Sequence, residues 1–349
     1  MEWLGTGGAS ALVGLFGGVL LGLAARRGRF CTLGAVEDAL YASDWDRIRM
    51  WALALAVGII GTFLLAKTGA LDLSTTIYSR FEWNPIGSIL GGLVFGYGMA
   101  IAGNCGYGAL ARLGGGDLRS FVIMVVMGLA AYVTLSGPLA ALRVWVFPPV
   151  AANEAQGIAH ALGGLAGISP VVIGVMIGFG FLIWSLSATN FRRKFASVAW
   201  GSAVGLAVVS GWAGTAWVAD IGFDAVPVAS HTFAAPVGEA MLYVMTSSGN
   251  SLSFGIGSVA GVLAGAFIGS LIKGHFRWEA CDDPRELRRQ ILGAALMGIG
   301  AVLAVGCTIG QGVSAFSLLA YSAPVTFAAI LFGAWFGLRQ LIEGFARSV

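Results

Sequence analysis

The chain has 349 residues, 57% of them hydrophobic and 11% charged, with a net charge of +3 and a mean hydropathy of +0.85. Soluble domains carry about 25% charged residues, so the composition excludes a soluble globular fold and marks an integral membrane protein. The basic residues are scattered at the ends of apolar runs, which excludes a nucleic-acid-binding surface.

Apolar runs of roughly 17–22 residues recur along the chain, each long enough to cross about 30 Å of hydrocarbon. They are continuous rather than alternating, so they predict an all-α protein and not a barrel. Nine spans are expected, at roughly 9–25, 49–67, 85–103, 118–136, 170–187, 195–213, 252–272, 289–305 and 323–340. No basic segment precedes the first run, which reads as a permanent span and not a cleaved signal.

Basic residues alternate between loops. Arg26, Arg27, Arg29, Arg47 and Arg49 lie between spans one and two, and Arg112 and Arg119 between three and four. Arg192, Arg193 and Lys194 lie between five and six, Lys273, Arg277, Arg285, Arg288 and Arg289 between seven and eight, and Arg339 and Arg347 after nine. The other loops hold few basic residues and several acids, among them Asp72, Glu82, Glu154, Asp220, Asp224 and Glu239. Excess positive charge stays in the cytoplasm, so the expected N-terminus is periplasmic and the C-terminus cytoplasmic.

Three stretches between spans predict short helices or re-entrant segments: "CTLGAVEDALYAS" from Cys31, "PVGEAMLYVMTSSGN" at 236–250 and "QGVSAFSLLAYS" at 311–322. The last is uncharged, and backbone of this kind at membrane depth must be buried or line a cavity.

An internal repeat is visible. "ILGGLVFGYGMAIAGNCGYG" at 89–108 matches "ILGAALMGIGAVLAVGCTIG" at 291–310 in eight of twenty positions, including Cys105/Cys307 and Gly108/Gly310. The two copies fall on spans of opposite direction. The chain therefore divides into a first repeat of about 9–136, a linking helix of about 170–187 and an inverted second repeat of about 195–343, all one membrane domain. Inverted, pseudo-symmetric halves with a site at their interface are a common transporter plan. Glycines at spacing four, Gly14, Gly18 and Gly22 and again Gly257, Gly261, Gly265 and Gly269, predict closely packed helix pairs.

Three of the four cysteines share a setting: "GRFCTLGA" around Cys31, "AGNCGYGA" around Cys105 and "VGCTIGQG" around Cys307. Each follows a span and is flanked by glycines. Glycine admits unusual backbone and exposes N–H groups, and a helix restarting there aims its positive end at the same point. Thiols beside such donors suit an anion with a soft atom. A cysteine also packs as a small hydrophobe, and the three matching contexts favour function over packing. Arg29, Asn104, Gly106, Gly108, Gly306, Gly310 and Gln311 are the supporting candidates. Cys281, in "FRWEACDDPRE", has neither glycine flank nor repeat partner and reads as incidental. Glu37 and Asp38 read as solvated or structural. "GTFLLAKT" at 61–68 lacks the second glycine of a phosphate-binding loop, and His160, His231 and His275 have no metal-ligand spacing. No cofactor or metal is expected.

At "RRGRFCTLGAVEDALY" and the two copies of the repeat, the sequence resembles the YeeE/YedE family of sulfur transporters, in the branch of bacterial thiosulfate uptake permeases. The resemblance covers nearly the whole chain and departs from it at Asn104, where a glycine is expected. It implies an inner-membrane permease, not an enzyme, with nine spans, short helices and pseudo-symmetric halves. It further implies that Cys31, Cys105 and Cys307 pass thiosulfate or a related sulfur anion inward by transient contacts. A separately encoded TusA-type sulfurtransferase-like partner in the cytoplasm is implied as well, with membrane lipid as the only other surrounding. Two other readings stand beside it: a membrane sulfurtransferase or redox enzyme using a cysteine persulfide, and a permease for a soft metal or a selenium species.

Overall fold

A computed structural model describes residues 5–152, 156–222, 226–280 and 283–343. Cys281, with Glu154, Asp224 and Arg347, lies outside the described residues. Within them the chain is helical: α1 (Gly5–Gly28), α2 (Thr32–Tyr41), α3 (Asp46–Lys67), α4 (Ile77–Arg80), α5 (Pro85–Ala102), α6 (Gly106–Leu113), α7 (Leu118–Leu135), α8 (Ala140–Val146), α9 (Ile158–Ala166), α10 (Pro170–Leu186), α11 (Thr189–Arg193), α12 (Phe195–Ile221), α13 (Ala235–Thr246), α14 (Phe254–Ile272), α15 (Pro284–Leu303) and α16 (Ser322–Glu343). A π-helical turn, Gly310–Ala315, lies between α15 and α16.

Each expected span falls on a long helix: α1, α3, α5, α7, α10, α12, α14, α15 and α16. Among the described residues, seven helical stretches are long and apolar enough to cross a membrane. The pair α9 and α10, bent by 117° at its break, makes an eighth. Helix α15 has 20 residues, about 30 Å at 1.5 Å per residue, but Arg285, Glu286, Arg288 and Arg289 charge its first two turns. The stretches expected to be short helices are α2, α13 and the buried π-helical turn.

Local chemistry sets the helix ends. Asn84 accepts a hydrogen bond from Gly87 N at 3.0 Å with Pro85 in the first turn of α5, and Asp283 accepts from Arg285 N at 2.8 Å ahead of Pro284 in α15. A side-chain oxygen satisfies a free N–H there, and proline has none to lose.

Glycine sets the packing. Helices α1 and α14 run parallel: Gly14, Gly18 and Gly22 sit against the carbonyls of Phe254, Ser258 and Val262, and Gly257, Gly261 and Gly265 against those of Ala11, Leu15 and Val19. Helices α5 and α15 run antiparallel: a side-chain carbon on Gly91 would lie 2.8 Å from the Gly300 carbonyl oxygen, and one on Gly300 2.7 Å from that of Gly91. Gly92 and Gly96, on another side of α5, meet α16 at Thr326, Ala329 and Ile330. The remaining principal pairings are α3 with α12 and α10, α7 with α15 and α13, and α1 with α12.

Although Lys67 lies at the other end of α3 from Arg47 and Arg49, many of the basic residues gather at one end. There Arg26 Nε donates to Ser270 Oγ at 2.7 Å, Lys273 Nζ to the Arg26 carbonyl at 2.8 Å, and Arg49 to the Trp184 carbonyl at 2.7 Å. Lys194 pairs with Asp46, Arg47 with Asp38 at 3.0 Å, and Arg119 with Asp117 at 3.3 Å.

Candidate functional site

Three thiols stand at three helix restarts of one design. The carbonyl of each cysteine accepts the first bond of the helix that follows: Cys31 from Ala35 N at 3.1 Å, Cys105 from Ala109 N at 2.8 Å and Cys307 from Gln311 N at 2.8 Å. Two residues before each, the backbone is left-handed, at Arg29 (φ 56°), Gly103 (φ 76°) and Val305 (φ 54°). Three residues after each stands a glycine, Gly34, Gly108 or Gly310. The left-handed residue stops one helix, and the thiol then begins the next at its electropositive end.

The thiols differ in their partners. Cys105 Sγ accepts from the N–H of Gly108 at 3.3 Å, the hydrogen bond of a helix cap. Cys307 Sγ instead accepts from the Phe233 N–H at 3.3 Å, with Thr232 Oγ1 at 3.6 Å. Cys31 makes no capping bond and is half-buried, whereas Cys105 and Cys307 are fully enclosed.

Cys105 and Cys307 belong to one cluster of the core, and Cys31 packs against it. Cys105 lies near both Cys31 and Cys307. Phe233 links two of the stations: its N–H reaches Cys307, and a side-chain carbon on Gly106 would lie 3.4 Å from its carbonyl oxygen. Tyr107 completes the packing, with its hydroxyl donating to the Leu21 carbonyl at 2.6 Å. Its ring lies 6.5 Å from Phe30 and 5.5 Å from Phe233, centroid to centroid.

A cavity of about 810 Å³ opens beside the start of α1, the end opposite its Arg26 and Arg27. Thr6, Ser10, Ser230, Thr232, Glu239 and Tyr243 are among its walls. Thr232 joins it to the Cys307 thiol. Among the described residues, no three acidic, histidine or cysteine side chains converge as metal ligands.

Residues 27–336 match the family described as Sulphur transport. The chain belongs to the sulphur transport family. Two curated relatives of this family member are each named Thiosulfate transporter TsuA. The one from Spirochaeta thermophila is 27% identical over 337 residues, covering 92% of this chain and 96% of the relative. The one from Escherichia coli (strain K12) is 26% identical over 371 residues, covering 93% and 92%. The chain is thus a multi-pass membrane protein of a transport family, as its motifs and composition led one to expect.

In this sulphur transport family member the supporting candidates part company. Gly106 and Gly310 are buried at the restarts, and Gly108 donates to Cys105. Gly306 turns the chain at φ 152°. Asn104 is buried with its Oδ1 unpartnered, directly before Cys105. Arg29 is exposed at the basic end. Gln311 is occupied: its Nε2 donates to the Ala304 carbonyl at 2.8 Å and the Val305 carbonyl at 3.0 Å, and its Oε1 accepts from Ser322 Oγ at 3.1 Å. It closes the end of α15.

Sequence reasoning passed over Thr232 and Phe233. A signal for them exists once α2 and α13 are compared. Phe30 and Phe233 each stand two residues before a helix, with Cys31 at the start of α2 and Ala234 at the start of α13.

Proposed function

We propose that the chain imports thiosulfate, or a closely related inorganic sulfur anion, across a bacterial inner membrane. The observation that carries this reading is the triple restart: three thiols in or packed against one cluster, each at the N-terminus of a helix. Thiosulfate is a dianion with one soft terminal sulfur and three hard oxygens. A dianion cannot cross hydrocarbon bare. Backbone N–H groups at the restarts replace water around the oxygens, and neutral thiols, weak S–H donors, meet the sulfur without repelling the charge. Several weak contacts in series favour passage, because tight binding at one site blocks release. The names of the two relatives point to the same substrate.

The path is a non-covalent hand-over among Cys31, Cys105 and Cys307. The nine long helices act as nine spans with the N-terminus periplasmic and the C-terminus, with the basic end, cytoplasmic. The halves are inverted copies. The pairing of helices supports that plan: exchanging α1, α3, α5 and α7 for α12, α14, α15 and α16 turns the α1–α14 contact into α12–α3, and α5–α16 into α15–α7. A TusA-type protein receives the anion at the basic end. Uptake of radiolabelled thiosulfate into cells expressing the chain, competed with sulfate, sulfite, selenite and cysteine, tests the substrate. Competition by sulfate as strong as by unlabelled thiosulfate rejects it. A lasting sulfur adduct on a cysteine, seen by mass spectrometry after substrate exposure, would favour a persulfide enzyme instead.

A further inference from the structure

We propose that the hydroxyl of Thr308 is a ligand for the oxygen end of the passing anion, at the point where Cys105 and Cys307 meet its sulfur end. The inference rests on the sulfur-anion reading above and adds a residue to it. Thr308 is the first residue of the helix that restarts after Cys307 and is 0% exposed. Its hydroxyl adjoins the Cys105 thiol, a weak acceptor, and has no other partner. Buried hydroxyls almost always find a partner, so this one calls for a reason.

The neighbours supply it. A threonine in a helix ordinarily bonds back to the carbonyl three or four residues earlier. Thr134 does so to Ala130 at 2.9 Å, Thr215 to Gly211 at 2.8 Å and Thr246 to Leu242 at 2.7 Å. Thr308 has no such turn behind it: Val305 is left-handed at φ 54° and Gly306 turns the chain at φ 152°, so the usual acceptor position before it is missing. The break before the restart thus leaves the Thr308 hydroxyl without the usual backbone acceptor. Beside it are the Cys105 sulfur, a poor acceptor, and the free end of a helix, which repels a cation and welcomes an anion. An O–H in that setting fits an anionic oxygen, and a thiol–hydroxyl pair fits an anion whose two ends differ.

The first station repeats the pair. "CTLG" at Cys31 and "CTIG" at Cys307 each place a threonine after the thiol, and Thr32 Oγ1 is also buried and unpartnered. Thr62 and Thr326 carry unpartnered buried hydroxyls as well, but neither adjoins a cysteine in sequence. Thr326 therefore serves as the control.

The test is thiosulfate uptake at equal membrane abundance in the wild type, Thr308→Val, Thr308→Ser and Thr326→Val. The expected result is a rise in the half-saturating concentration of roughly tenfold or more for Thr308→Val, and less than about threefold for Thr308→Ser. Thr326→Val should match the wild type. If Thr308→Val does not reach the membrane, Thr308→Ala removes the same hydroxyl with less change of shape. A hydroxyl-free variant with wild-type saturation overturns the inference while leaving the thiosulfate reading intact. So does Thr308→Ser failing as badly as Thr308→Val. A wild type that takes up no thiosulfate overturns both.

Discussion

A side-chain carbon placed on Gly98 would lie 2.6 Å from the carbonyl oxygen of Gly293, and one placed on Gly293 would lie 2.6 Å from the carbonyl oxygen of Gly98. The two glycines are each other's obstacle. One methyl group at either position forces α5 and α15 apart, and the same separation makes room for the other. Gly98→Ala and Gly293→Ala should each destabilise the protein by about 1–3 kcal/mol, as overpacking does. Together they should cost clearly less than the sum, because residues in contact couple. Thermal melting in detergent of the two single variants and the double variant measures this; additive losses would mean that the helices do not share one contact.

The thiols make a second, functional prediction. Cys105→Ala, Cys307→Ala and Cys31→Ala should each lower thiosulfate uptake, with the fully buried Cys105 and Cys307 more affected than Cys31. Cys281→Ala should leave uptake unchanged. Undiminished uptake in all three site variants would remove the thiols from the transport path.

The left-handed residues predict opposite responses to one kind of change. Val305 is β-branched, 51% exposed and held at φ 54°. Such a residue is strained there, so Val305→Gly should leave stability unchanged or raise it. Gly103 has φ 76° and open space around the missing side chain. Gly103→Ala should therefore lose about 1–2 kcal/mol from backbone strain alone. Melting temperatures of the two variants check the signs.

Gln311 offers a test in which stability and transport move together. Gln311→Leu leaves the Ala304 and Val305 carbonyls without their donor, at about 1–3 kcal/mol for a buried group left unpaired. It also loosens the turn through Val305 that sets Cys307 and Thr308 in place. A lower melting temperature with a raised half-saturating concentration is the expected pair of results. Wild-type melting with impaired uptake would instead place Gln311 in direct contact with the anion.

Much of this was legible in the chain itself. Continuous apolar runs located the long helices because a bilayer demands internally bonded backbone, and the spacing-four glycines of α1 and α14 do interlock. The three cysteine motifs were legible because glycine around a thiol is a statement about backbone. Their shared geometry was not. Arg29 and Val305 adopt a conformation that neither residue type signals, and the left-handed step before each thiol appears only in the dihedral angles. Nor does composition say that Gln311 spends its amide on α15 and not on a ligand. Thr308 was hidden for the same reason: that no helical turn precedes it shows only in the backbone angles. Phe233 lies 74 residues from Cys307, and no periodicity connects them.

The helix pairings also fix the order in which the molecule can be completed. Helix α1 lies against α12 and α14, α3 against α10 and α12, α5 against α15 and α16, and α7 against α13 and α15. Each of the first four long helices thus waits for a neighbour synthesised much later. During translation their glycine faces rest against lipid or an insertase. At the ribosome's pace of roughly 5–20 residues per second, α5 waits many seconds before α16 covers Gly92 and Gly96. A chain that stops before α16 leaves Gly92 and Gly96 of α5 without the helix that packs on them.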